Sequence, residues 1–228
     1  MNAVNLDHAS EAQRRRLSLL AIIGLLLAFG LPELGLPRLF ADTPIGTRAG
    51  REIVWIAFAL LIVFWTVRVE RLPLSSIGFR EPSWGTLGWG LAAVLVSMAT
   101  VMLTFAVIAP AMGLQQNMAA TADVVRVPFW LLLLTPMVAG VTEEILYRGY
   151  AIERLTFLTG KRWLAGLLAG IGFLLAHWSW GAVQMIVVAF GTVILVGLYL
   201  WRRDLTCCII AHLLTDLIGF ALAHAQMR

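Results

Sequence analysis

Apolar residues fill seven stretches of the chain, Leu17–Leu36, Glu52–Val69, Leu87–Ala109, Val127–Tyr150, Leu164–Trp178, Val183–Trp201 and Leu205–Ala223, and short polar segments separate them. A helix needs about 20 mostly apolar residues to cross a bilayer at about 1.5 Å rise each, and every stretch comes close to that length. The pattern predicts an all-α, polytopic membrane bundle of about seven transmembrane helices. Six or eight also fit, because the fifth stretch is short and the first contains Pro32 and Pro37. No segment is left over for a separate soluble domain, so residues 1–126 and 127–228 read as two parts of one integral membrane unit.

Composition supports this reading: 60% of the 228 residues are hydrophobic and 13% charged, with mean hydropathy +0.86. Charge adds an orientation. With the N-terminus in the cytoplasm, Arg14, Arg15, Arg16, Arg68, Arg71, Arg80, Arg148, Arg154, Lys161, Arg162, Arg202 and Arg203 fall inside, 12 of the 17 Lys and Arg. Arg38, Arg48, Arg51, Arg126 and Arg228 fall outside, which is the positive-inside asymmetry of a multi-pass protein of the cell's inner or plasma membrane. The net charge of +4 therefore reflects topology, and no basic stripe interleaved with aromatics points to nucleic acid. Arg14–Arg16 followed by LSLLAIIGLLLAFG also has the outline of a signal peptide, but no small-x-small cleavage site follows at the usual distance. Cys207 and Cys208 are neighbours, a poor geometry for a disulfide and too few for a zinc framework, and read as small apolar filler. Residues 69–85, VERLPLSSIGFREPSWG, read either as an interfacial linker or as a plain loop.

The fourth stretch ends in GVTEEILYRGY, where an ionised group would cost about 2.5–3.5 kcal/mol at mid-bilayer unless it faces a partner or cavity. On a helix Glu144 and Arg148 share a face and can pair, whereas Glu143 is turned about 100° away, toward Tyr147 and Gly140. One glutamate is then tethered and the other available; the alternative is an ion-pair network that only locks helices. Two histidines also lie in apolar runs, His177 four residues after Phe173 and His212 four before Asp216. The turn TGKR centres near Gly160, with Glu143 seventeen residues before it and His177 seventeen after, so an antiparallel hairpin sets them at similar depth. His212 reaches that depth only if the fourth helix projects into the cytoplasm, and the expected cavity then opens toward the cytoplasmic side.

Glu143-Glu144-x-x-x-Arg148, Phe173-x-x-x-His177 and His212-x-x-x-Asp216 resemble, in order, the three motifs of the CPBP intramembrane endopeptidases, the CAAX protease and bacteriocin-processing family also called Abi. The resemblance covers roughly residues 127–223; the N-terminal part agrees in hydropathy alone. It implies a helical membrane bundle that hydrolyses peptide bonds of membrane-associated, prenylated or leader-type substrates through a glutamate. Peptide hydrolysis needs a base for water, a donor to the oxyanion and a proton for the leaving amine. Glu143 and His177 would activate water, His212 and Asp216 would face the oxyanion, and Glu144, Arg148, Phe173 and Tyr147 would support them. Many family members carry Asn where this chain has Asp216, and an ionised aspartate would repel an oxyanion. Asp216 must then be protonated, or must orient His212 through a ring hydrogen bond.

Zinc on Glu143, His177 and His212 is the rival mechanism; no His-Glu-x-x-His helix is present, and a metal-free reaction with no cofactor is the favoured expectation. Outside the enzymes, buried Glu, His and Asp also mark ion-coupled transporters, against which no inverted repeat is visible, and a non-catalytic membrane scaffold or immunity protein would keep the motifs for stability. The last residues, AQMR, carry no C-a-a-X box of their own.

Overall fold

The computed structural model describes residues 11–31, 44–116, 122 and 126–226, and these are almost entirely helical, with no strand among them. Helix α1 is Glu11–Gly30. Helix α2, Pro44–Phe64, runs on in wider turns through Trp65–Val69, and α3, Trp84–Leu103, continues to Ala111. The long α4 comprises Phe129–Glu143, a wide-turn segment Glu144–Ala151 and Ile152–Thr159. Helices α5 (Arg162–Ala176), α6 (Ala182–Arg202) and α7 (Leu205–Gln226) complete the bundle.

Five of these are long and apolar enough to cross a membrane: Arg48–Val69, Trp84–Ala111, Phe129–Thr159, Ala182–Arg202 and Leu205–Gln226. Their number, length and apolar composition are those of an integral membrane protein. The expectation of about seven spans is therefore met only in part. Helix α5 has 15 residues, about 22 Å against a hydrocarbon core of about 30 Å. Helix α1 opens on the charged run EAQRRR, and the end of the first predicted stretch, with Pro32 and Pro37, lies outside the described residues. So do Arg38 and Arg228 of the predicted outer charges.

Helix α4 is the centre of the bundle. In its most apolar window 61% of residues are buried, against 22–33% for the other four spans, and every residue from Thr142 to Ile152 is buried. The ionisable groups of this helix thus face protein rather than lipid. Leu19, Leu60, Leu95, Val193 and Leu222 on surrounding helices are exposed, as lipid-facing residues are. α4 runs 31 residues, about 46 Å, against a hydrocarbon core of about 30 Å.

The end of the bundle at Gly160 is closed by polar clamps. Arg154 donates from Nε and Nη2 to both oxygens of Glu70 at 2.7–3.0 Å, and Tyr150 donates its hydroxyl to the same carboxylate at 2.7 Å. Arg203 and Tyr199 both donate to Glu153. The 69–85 connection is docked into this end: Ile77 is fully buried, Leu205 donates its backbone N–H to the Gly78 carbonyl at 2.8 Å, and Arg154 reaches the Ser76 carbonyl. These contacts hold the middle of the segment against the bundle, while Arg80–Trp84 stay exposed. Cys207 and Cys208 are buried and unbridged, as small core residues.

Gly140 sets the distance between α4 and α7. A Cβ there would lie 2.7 Å from Cα and 2.8 Å from N of Leu213, the residue after His212. Backbone cannot yield as a side chain can, so overpacking of about 1–3 kcal/mol is expected. Gly140→Ala should separate the helices: thermal unfolding in detergent should fall relative to wild type, whereas Gly191→Ala, where no atom lies within 4 Å of the new Cβ, should unfold as wild type does. Equal unfolding of the two variants would refute this account of the contact.

Candidate active site

The close approach at Gly140 brings the two glutamates of α4 against α7. Glu144 is fully buried, and its Oε1 receives His212 Nδ1 at 2.8 Å and faces Arg148 Nη1 at 2.9 Å. Arg148, also fully buried, lies with its guanidinium carbon 4.2 Å from the centroid of the Phe173 ring on α5. That ring is a hub: Tyr147 meets it edge-on at 5.0 Å, His177 at 4.4 Å and His212 at 6.4 Å. A cation against an aromatic face is attracted by the ring quadrupole, so Phe173 shares with Glu144 the task of holding the Arg148 charge.

Glu143 has no such tether. Its nearest charged neighbour is His212, whose Nε2 lies 3.9 Å from Oε2, and no described residue donates a hydrogen bond to it. It lines a cavity of about 450 Å³ together with His177, His212, Asp216, Arg148 and Phe173. The predicted catalytic and supporting groups of α4, α5 and α7 are thus brought together. Tyr147 instead lies behind them, packed between Phe173 and Phe29 of α1.

His177 is placed by the end of α5. The helix stops at Ala176, the His177 N–H closes a tight turn onto the Leu174 carbonyl at 3.0 Å, and Trp180 packs on the imidazole with centroids 4.7 Å apart. Nδ1 lies 2.8 Å from the Phe173 carbonyl oxygen. A carbonyl only accepts, so Nδ1 carries the hydrogen and, in the neutral ring, Nε2 keeps its lone pair. On α7 the imidazole of His212 meets Glu144 through Nδ1, while Nε2 is 3.4 Å from Asp216 Oδ2. Glu144, rather than Asp216, makes the short hydrogen bond that orients this ring.

The position of the cavity sets two expectations against each other. Its walls come from the start of α2 (Arg51, Trp55), the later part of α3 (Ser97, Thr100), Thr135 and Ala139 of α4, the end of α5 and the first two-thirds of α6. In alternating helices all of these lie toward the Gly181 end, away from Gly160 and the Arg202–Asp204 turn. The cavity lies at the end of the bundle opposite the arginine-rich turns, so the expectation of those turns inside and that of a cavity opening toward the cytoplasmic side do not both hold. Counting from turns did not anticipate the clamps at Glu70, Glu153 and Asp204, which fill the end at Gly160.

Zinc can be tested against this donor set. Both ring nitrogens of His212 are directed at carboxylates, and no three His, Cys, Asp or Glu side chains among the described residues are arranged to hold a metal ion. In this arrangement the residues do not fit a centre on Glu143, His177 and His212.

Sequence reading passed over Glu52, the first residue of the second apolar stretch. It is buried, accepts the Thr135 hydroxyl at 3.0 Å and has Arg51 Nε at 3.7 Å. Its signal was a carboxylate opening an apolar run, the same signal that singled out Glu143, but at a helix start it read as solvent flank. Trp180 gave no signal at all.

No curated protein and no solved structure matches the chain. A family model does: residues 125–218 match Rce1-like, described as type II CAAX prenyl endopeptidase Rce1-like, and the match spans all three motifs and every cavity wall that α4 to α7 contribute except Phe220. By the segment that carries its site, residues 125–218, the chain is similar to the CAAX prenyl endopeptidases, a family of membrane proteases.

Proposed function

We propose that the protein is an intramembrane endopeptidase that hydrolyses peptide bonds of membrane-associated substrates, prenylated or leader-type chains among them, with water activated by Glu143 and without a metal or other cofactor. The observation that carries this is the division of labour between adjacent glutamates: Glu144 is bound to Arg148 and His212, while Glu143 faces the cavity untethered. A residue kept only for stability would not be left without a partner at a cost of several kcal/mol.

In the proposed reaction a water lies between Glu143 and the lone pair of His177 Nε2. Glu143 takes one proton, the water oxygen bonds to the scissile carbonyl carbon, and the carbonyl π electrons move onto its oxygen. His212 donates to that oxyanion from Nε2, with Glu144 holding its other nitrogen. The carbonyl then re-forms, the C–N bond breaks, and the proton held by Glu143 passes to the departing amine. Asp216, 3.4 Å from Nε2, favours the charged, donating form of His212 when ionised and is the side chain exposed enough to meet substrate. This assigns Asp216 a supporting role and removes the need for it to touch the oxyanion.

The test is a cleavage assay of the purified protein in lipid vesicles with a membrane-anchored peptide, run for wild type and His177→Gln, with and without exhaustive chelation. Wild type should cleave equally with and without chelator, and His177→Gln should lose about a hundredfold or more. Loss on chelation restored by one ion would overturn the metal-free reaction; full activity of His177→Gln would remove His177 from the site.

A further inference from the structure

At the end of the bundle opposite the cavity, Arg80 from the α2–α3 connection and Arg202 from the last turn of α6 face a separate pocket of about 310 Å³, whose walls include Thr86, Trp201 and Asp204. Neither arginine forms an ion pair or hydrogen bond with a described residue, and the Nε of Arg202 is buried without a partner. The acid beside them is already committed: Asp204 accepts the Thr86 hydroxyl at 2.6 Å on Oδ2 and the Cys207 N–H at 3.2 Å on Oδ1, capping α7. Glu81 stands on the exposed rim. Two guanidiniums from different elements therefore converge on one space with no anion assigned to them.

The surroundings say what kind of anion fits. Trp201 and Trp89 pack edge to face at 4.6 Å beside the pocket, and Trp84, at the start of α3, is 88% exposed. Exposed tryptophans at helix ends sit at headgroup level. This end also carries most of the chain's basic residues and so faces the cytoplasmic leaflet, where anionic lipids collect. A soluble anion would have no use for the aromatic wall, whereas a glycerophospholipid presents a phosphodiester to the arginines and acyl chains to the outer faces of α3 and α6. We infer that the Arg80–Arg202 pocket is a binding site for the phosphate of an anionic phospholipid headgroup. This site is independent of the peptidase reading.

The full chain in nanodiscs of mixed phosphatidylcholine and phosphatidylglycerol tests it by native mass spectrometry of the retained lipid. Wild type should retain phosphatidylglycerol preferentially. Each of Arg80→Gln and Arg202→Gln should reduce the preference about fivefold, and Glu81→Gln should increase it. Lys161→Gln, an exposed cation at the same end but outside the pocket, should leave it unchanged. Arg80 is itself exposed, so its variant keeps the test valid even if Arg202→Gln folds poorly. An unchanged preference in Arg80→Gln, or a loss as large in Lys161→Gln, would overturn the site. Inorganic phosphate should fail to displace the lipid; if it competes, the pocket is a soluble-anion site and the lipid assignment is wrong.

Discussion

Glu143→Gln should abolish peptide cleavage, by about a hundredfold at least, while the protein folds and unfolds as wild type does. The amide keeps the size and shape of the carboxyl group but cannot take a proton from water. Folding should be spared because Glu143 holds nothing together: its nearest charged partner is 3.9 Å away, and it faces a cavity into which an amide fits equally well. The paired measurement is cleavage in vesicles and thermal unfolding in detergent. A variant that retains cleavage would end the peptidase reading and return the motifs to a scaffold role. A variant that loses cleavage only because it unfolds would instead show that Glu143 is structural.

The neighbouring residue should behave in the opposite way. Glu144→Gln leaves Arg148 buried, with 1% of its side chain exposed, and without the carboxylate that balances it. Breaking a buried pair by removing one partner costs about 3–5 kcal/mol, while replacing both charges by apolar groups of similar size is often nearly neutral. Glu144→Gln should therefore be strongly destabilised, and Glu144→Gln with Arg148→Met should recover much of the loss. The recovery should stop short of wild type, because His212 Nδ1 also loses its 2.8 Å partner and the ring is no longer held toward the cavity. Activity should accordingly stay low in the double variant although its fold returns. If the double variant is no more stable than Glu144→Gln alone, the pair is not what stabilises this part of the bundle.

The contrast between Glu143 and Glu144 was legible in sequence because helical spacing alone turns adjacent side chains about 100° apart, and the widened turns begin only at Glu144. The pairing of Glu144 with Arg148 followed from the same spacing. What spacing could not show is the third partner. His212 lies 68 residues after Glu144, and only the contact of α7 with α4, made possible by the missing Cβ of Gly140, joins them. One of the two roles expected of Asp216, four residues away on the same helix, was to orient His212; a carboxylate from another helix makes the shorter bond. Glu52 and Trp180 had no motif to betray them and became visible only through what they touch.

Hydropathy and charge were enough to establish an all-helical membrane protein and the stretches that form its helices, since burial in lipid demands long apolar runs with internally paired backbones. The three motifs were enough to point to the family whose model matches residues 125–218, because each spans one helix or its end, where the order of residues dictates the face they share. The tertiary structure alone decided where each helix begins and ends, that α5 stops short at His177, and at which end of the bundle the cavity lies. Those depend on where neighbouring helices block or permit close approach and on clamps between residues up to 118 positions apart, such as Thr86 with Asp204. Helical periodicity carries no information at that range, so packing rather than local spacing sets the depth of the site.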